Sequence, residues 1–181
     1  VNPAHLRHNV AQVAARVAPR PILAVIKNNG YGLGVANVGR ILEPLPPVQG
    51  FAVVKLAEAL ALREAGVRKP ILLMGPFDEA ALEEAAARDI TPMVYTPIGD
   101  LLERVARRQK RTLPLHVCVD TGIGRVGVPH EAAAPLIRDL AGRRSLRVEG
   151  VMMTFAEDPE FDREQLFRFE TLCRSLLAEG V

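Results

Sequence analysis

Short apolar runs rich in valine, isoleucine and leucine alternate along the chain with longer stretches whose apolar positions recur at helical spacing. The run at 21–26 (PILAVI) is continuous rather than alternating, the pattern of a strand buried on both faces. The runs at 51–54, 70–74, 90–95, 115–119 and 148–153 have the same character. Between and before them, the spacing predicts helices over 3–17, 57–65, 78–88, 129–141 and 163–177. In the helix over 57–65, Leu60 and Leu62 lie near Ala57, Ala61 and Ala65, and Glu58 and Arg63 are expected to face outward. Asp78 precedes Glu79 and Ala80 as an N-cap.

Strands and helices alternating in this way predict right-handed βαβ units and a parallel sheet. Roughly six strand–helix units are present, against the eight of a closed (β/α)₈ barrel. The pattern leaves two architectures open, an open doubly wound sheet and a barrel with fewer than eight units. No linker, low-complexity tract or internal repeat marks a second domain.

Composition narrows the function classes. The chain of 181 residues is 49% hydrophobic and 24% charged, a globular balance. A net charge of +2 and the lack of a basic stripe interleaved with aromatics argue against a nucleic-acid partner. The densest basic run, Arg104, Arg107, Arg108, Lys110 and Arg111, fits a solvated helix end. Cys118 and Cys173 lack metal-ligand spacing and suit packed free thiols in a reducing compartment. No apolar segment approaches a membrane span and no signal-peptide pattern opens the chain, so a soluble cytoplasmic protein is expected.

Candidate chemistry gathers at the C-terminal ends of the predicted strands, where sites lie in both architectures. Lys27 ends the first strand within AVIKNNGYGLG (24–34). A desolvated lysine amine can attack a carbonyl and form a Schiff base. Gly30, Gly32 and Gly34 permit positive φ and close approach to an anion, to which Tyr31 could donate. On spacing alone, a surface lysine before a glycine-rich turn is the better fit. After the fifth strand comes HVCVDTGIGRVG (116–127), in which Asp120 can accept from its own turn and Arg125 can fold back over the strand end. That guanidinium suits a carboxylate or phenolate, or else closes a structural Asp–Arg clamp. Thr154 follows the sixth strand, and all these residues are expected to converge on one mouth.

Together these stretches resemble the alanine racemase family, the fold-type III pyridoxal 5′-phosphate (PLP) enzymes. AVIKNNGYGLG is similar to the family's A-V-x-K-A-N-A-Y-G-H-G, and VDTGIGRVGV (119–128) to its D-T-G-M-x-R-x-G. FAVVKLAEALALREAGVRKPILLMG (51–75) is similar to V-A-x-x-x-E-A-x-x-L-R-x-A-G-I-x-x-P-I-L-x-L-G. VEGVMMTFAEDPEFDREQLFRFE (148–170) resembles the G-x-x-T-H-F-A block, with Gln165 and Phe169 also in place. The resemblance implies a (β/α)₈ barrel with PLP at its C-terminal mouth and an amino acid as substrate, alanine by default, with the changes at Cys118 and Thr154 favouring a divergent member that takes a larger or different one. It implies that Lys27 is the Schiff-base lysine and a base on one face of the substrate's α-carbon. Tyr31 would touch the cofactor phosphate, and Arg125 the phenolic oxygen and substrate carboxylate. Thr154 would lie against the cofactor ring.

The chain departs from the family pattern at several positions. Cys118 stands where a lysine, frequently carbamylated, often buttresses the arginine. Met153 and Thr154 stand at the Thr and His positions, Leu33 replaces a histidine, and Ile123 replaces a methionine. The last two barrel strands and the C-terminal β-domain, which supplies a tyrosine across a homodimer, have no counterpart. The expectation is therefore that residues 1–181 are a partial PLP-binding barrel domain from a longer racemase, inactive alone. The alternatives are a PLP homeostasis protein without racemase activity, or a remnant of the fold without a working site.

Overall fold

The computed structural model describes residues 2–181, which form two compact units that divide between Pro92 and Met93. In the first unit, helix α1 (Pro3–Val17) starts where the Asn2 side chain accepts from Ala4 N at 2.9 Å, and proline fills its first position. Four parallel strands follow: β1 (Ile22–Val25), β2 (Val48–Val53), β3 (Ile71–Leu73) and β4 (Ile90–Val94), which spans the unit boundary. They alternate with α2 (Lys27–Tyr31), α3 (Val35–Leu42), α4 (Leu56–Glu64) and α5 (Glu79–Ala87). Asp78 caps α5 as its sequence position predicts, accepting from Ala81 N at 2.8 Å. Phe51 of β2, Ile71 and Leu73 of β3, Leu62 of α4 and Leu82 of α5 are fully buried, as in strands covered on both faces. Strand β1 departs from that expectation: its burial alternates, and Leu23 and Val25 are 41% and 42% exposed.

Two side chains of α4 do not point outward as the helical pattern predicts. Arg63 donates to four carbonyls, those of Val67, Lys69, Arg88 and Asp89, at 2.7–3.0 Å. It ties the ends of α4 and α5 to the β3 approach, because a guanidinium carries five donors in a fixed fork. Glu58 is buried at 8% exposure. Three helical segments lie outside the predicted ranges: the short α2, α3 and α6 (Gly99–Arg108). Helix α3 contains Gly39, where a Cβ would lie 2.5 Å from a Leu62 methyl, so glycine permits the close α3–α4 approach.

In the second unit, α6 ends in Arg107 and Arg108, in keeping with the basic run as a helix end. Residues Met93 and Val94 of β4 pair in parallel with β5 (Leu113–Asp120). β5 pairs in parallel with β7 (Leu146–Met152) and, at its last two residues, with the two-residue β6 (Val128–Pro129), which the pattern does not predict. Helices α7 (His130–Gly142) and α8 (Phe161–Ala178) complete this unit. Arg143 binds Asp100, Glu103 and Asp139 at 2.7–3.1 Å, joining α6 to α7. Among the described residues no helix is long and apolar enough to cross a membrane.

Candidate active site

Lys27 sits directly after β1. The Ile26 N–H still bonds the Ala52 carbonyl at 2.9 Å, so the lysine leaves the sheet at its last ladder bond. The backbone then turns left-handed for four residues, with φ of 53° at Asn28, 53° at Asn29, 63° at Gly30 and 54° at Tyr31. Right-handed helix is the default for L-residues, and a Cβ in the left-handed region costs about 1–2 kcal/mol. Three such residues store roughly 3 kcal/mol, at the lower end because asparagine tolerates this region. Gly30 meets a second constraint, since a Cβ there would lie 3.1 Å from a Val38 methyl and 3.3 Å from Val35 N.

Three contacts brace the turn. The Asn29 N–H donates to Glu58 Oε1 at 2.8 Å, and Asn29 Oδ1 accepts from Val35 N at 2.9 Å, starting α3. Glu58 Oε2 accepts from Lys55 N at 3.2 Å, the reach-back of a capping box at the start of α4. Lys27 itself is half-buried and, among the described residues of its unit, carries no side-chain hydrogen bond or ion pair. Tyr31 is 61% exposed beside it in the chain.

In the second unit the loop after β5 folds around the Asp120 carboxylate. Oδ1 accepts from Gly122 N at 2.8 Å, and both oxygens accept from Gly124 N at 3.1–3.2 Å. The chain returns at Gly127, with φ of 135°, where a Cβ would lie 2.5 Å from Asp120 N, so only glycine lets β6 close against β5. Arg125 is at the exposed tip of this loop, and its Nη2 donates to Thr154 Oγ1 at 3.3 Å. Asp120 is thus engaged by backbone and Arg125 by Thr154, so the Asp–Arg clamp does not form.

Beneath Thr154 lies the fully buried amide of Gln165 on α8. Its Nε2 donates to Thr121 Oγ1 and to the Thr154 carbonyl, each at 3.0 Å, and its Oε1 accepts from Ala156 N at 2.8 Å. Arg168, one turn on, donates to the Thr121 carbonyl at 2.8 Å and lies over the Phe161 ring, 5.7 Å from its centroid. The ends of β5 and β7 are therefore fastened to one helix. Cys118, only 2% exposed, donates its thiol to the Val126 carbonyl at 3.7 Å. Burial first, and the Asp120 charge second, push that thiol up, while Arg125 pulls the other way. It is a neutral group beside the Arg125 loop, not an anionic buttress.

A family profile described as alanine racemase, N-terminal domain, matches residues 1–181. The chain belongs to this family. It is 37% identical over 170 residues to the alanine racemase of Aquifex pyrophilus, covering 93% of this chain and 45% of that protein. To that of Syntrophobacter fumaroxidans it is 35% identical over 184 residues, covering 98% and 49%. Among solved structures, alanine racemase of Clostridium difficile 630 in complex with cycloserine superimposes with a TM-score of 0.91 at 26% identity, over 99% of this chain and 50% of that one. The chain spans about half the length of the curated relatives it matches. The likeness to the racemase barrel decides between the two architectures: the fold is an incomplete (β/α)₈-type barrel, not an open doubly wound sheet.

Of the residues singled out in the sequence, the structure brings Arg125 and Thr154 into contact in one unit and sets Lys27 and Tyr31 on one turn in the other. The pattern missed Glu58 and Asn29. The signal for Glu58 was a carboxylate at the third position of α4, where a capping carboxylate turns back toward the chain before the helix. The donor set fits PLP by its chemistry. Lys27 offers an uncommitted primary amine for an aldehyde, and Arg125 spends Nη2 on Thr154 and keeps further N–H donors for a phenolate or carboxylate. Tyr31 exposes a hydroxyl that can donate to a phosphate.

Proposed function

We propose that this chain is the cofactor-binding portion of a PLP-dependent amino-acid racemase acting on alanine. The observation that carries the reading is the amine of Lys27, uncommitted within its unit, at the end of β1 on a braced left-handed turn, in a chain matched along its length by alanine racemases. Lys27 would hold the cofactor through its aldehyde carbon, Tyr31 its phosphate, and Arg125 its phenolic oxygen, with Thr154 against the ring. When bound, PLP supplies an electron sink that stabilises a carbanion at the substrate's α-carbon.

The chain's own residues supply binding and proton transfer. In its neutral form the Lys27 amine takes the α-proton from one face, and as ammonium it returns a proton to that face, so one group serves both directions. Arg125 orients the substrate carboxylate through its remaining donors, which Thr154 helps to aim by accepting from Nη2. Gln165 holds Thr154 through its carbonyl. The acid for the opposite face would come from outside these residues, from the partner subunit of a homodimer.

The test uses the full-length protein loaded with PLP. A visible absorption band that disappears in Lys27→Ala, with conversion of L- to D-alanine that is lost in the same variant, supports the reading. A band without D-alanine formation makes it a PLP-binding protein and not a racemase. The absence of both removes the enzyme reading.

A further inference from the structure

The turn after Lys27 closes on itself by bonds that do not specify its hand. Gly30 N bonds the Ile26 carbonyl at 3.0 Å and Gly32 N the Asn28 carbonyl at 3.1 Å, and both span four residues. A right-handed turn makes bonds of the same span without placing Asn28, Asn29 and Tyr31 at positive φ. Something outside the turn therefore selects the left hand. The backbone donor of the turn that reaches a distant side chain is Asn29 N, and its acceptor is the buried Glu58 carboxylate, 29 residues on.

We infer that Glu58 is a positioning residue for Lys27: its carboxylate fastens the left-handed turn to the start of α4 and so fixes where β1 delivers the amine. This rests on the reading of Lys27 as the residue that holds the cofactor. A carboxylate suits the task because its two oxygens accept from two backbone donors at once, Asn29 N at 2.8 Å and Lys55 N at 3.2 Å. Glutamine has the same shape but turns an NH₂ toward one of those donors. Strain held in this way persists only while its surroundings over-determine it.

The experiment labels full-length protein, freed of cofactor, with PLP and cyanoborohydride, which leaves a phosphopyridoxyl group on any amine that reacts. Peptide mass spectrometry reads the rate at Lys27 against that at Lys110 in the same molecule. Glu58→Gln is expected to slow Lys27 labelling about tenfold relative to Lys110, the scale of one lost hydrogen bond to a charged group. Adding Asn28→Gly, which takes positive φ without a Cβ penalty, should restore the rate to within about twofold, because the turn then keeps its hand unaided. A role confined to capping α4 would lower the melting temperature of Glu58→Gln and leave the labelling ratio unchanged. Wild-type labelling by Glu58→Gln, or a double variant no faster than the single one, overturns the inference. If the wild-type protein labels Lys27 no faster than Lys110, the reading of Lys27 fails and the inference fails with it.

Discussion

Gln165→Leu isolates what the buried amide does for the second unit. Leucine keeps most of the volume and removes three hydrogen bonds, to Thr121 Oγ1, the Thr154 carbonyl and Ala156 N. Each intramolecular hydrogen bond is worth about 1 kcal/mol net, and a buried group left without a partner costs about 1–3 kcal/mol. The Thr121 hydroxyl can rotate to another acceptor and Ala156 N also donates to Asp162 Oδ1 at 3.1 Å, whereas the Thr154 carbonyl loses its Gln165 donor. Greater apolar burial by leucine offsets about 1 kcal/mol. The balance is a loss of roughly 2 kcal/mol, which for a chain of 181 residues lowers the melting temperature by roughly 4–8 °C.

Thermal unfolding followed by circular dichroism reads that shift, and Gln165→Glu sharpens it. Glutamate keeps the acceptor for Ala156 N but faces the Thr154 carbonyl with a second oxygen. Burial disfavours the charged carboxylate and raises its folded-state pKa above the unfolded value. Stability is then greatest below the unfolded pKa and falls as pH rises through the folded one. The glutamate variant should therefore regain stability on acidification relative to wild type, and the leucine variant should not. A Gln165→Leu melting point within about 1 °C of wild type would refute the assignment, since it would mean a cost well under 0.5 kcal/mol.

Thr154→Val removes the acceptor for Arg125 Nη2 at 3.3 Å, and because the pair is partly exposed the proposed racemase activity should show KM for the amino acid raised about two- to fivefold with kcat little changed. Gly127→Ala places a Cβ 2.5 Å from Asp120 N at a φ of 135°, and denaturant titration should show a loss of about 3 kcal/mol or more, or no soluble protein. Cys118 has a thiol raised by burial, so the folded state holds that proton more tightly than the unfolded state does. Its contribution is complete below the unfolded pKa of about 8.5 and declines as pH rises above it; Cys118→Ser should flatten the alkaline fall of the stability curve, and an unchanged slope would contradict the shift.

The order of strands and helices was legible because parallel strands read as unbroken apolar runs, and β1 to β5 and β7 fall on the six runs identified, although β1 and β7 are not covered on both faces as that reading implies. β6 was not legible. Two residues, Val128 and Pro129, carry no periodicity, and they pair with β5 only because Gly127 lets the loop return. The helices α3 and α6 were hidden for different reasons: α3 follows a glycine-rich turn and contains Gly39, while α6 was visible only as the basic residues near its end. Among the candidate site residues, Lys27 and Thr154 stood out because each follows an apolar run, and Arg125 because it lies in the glycine-bearing loop after one. Glu58 did not, because it sits on a helix among other polar residues and only its partners distinguish it, and Gln165 entered only through the family resemblance, without its role as a buried brace.

The sequence by itself determined the alternation of elements, the strand ends on which the polar groups fall, and, through whole-length resemblance, the family. Those follow from local periodicity and from residue identities in order. Tertiary structure decided the hand of the turn after Lys27, the inward direction of Glu58, and the fastening of β5 and β7 by Gln165. Each of these depends on a partner 29 to 44 residues away, Glu58 for Asn29 and Thr121 for Gln165, so no local window contains both halves of the interaction. A buried carboxylate and a buried amide are tolerated only when every such partner is in place, and the fold alone puts them there.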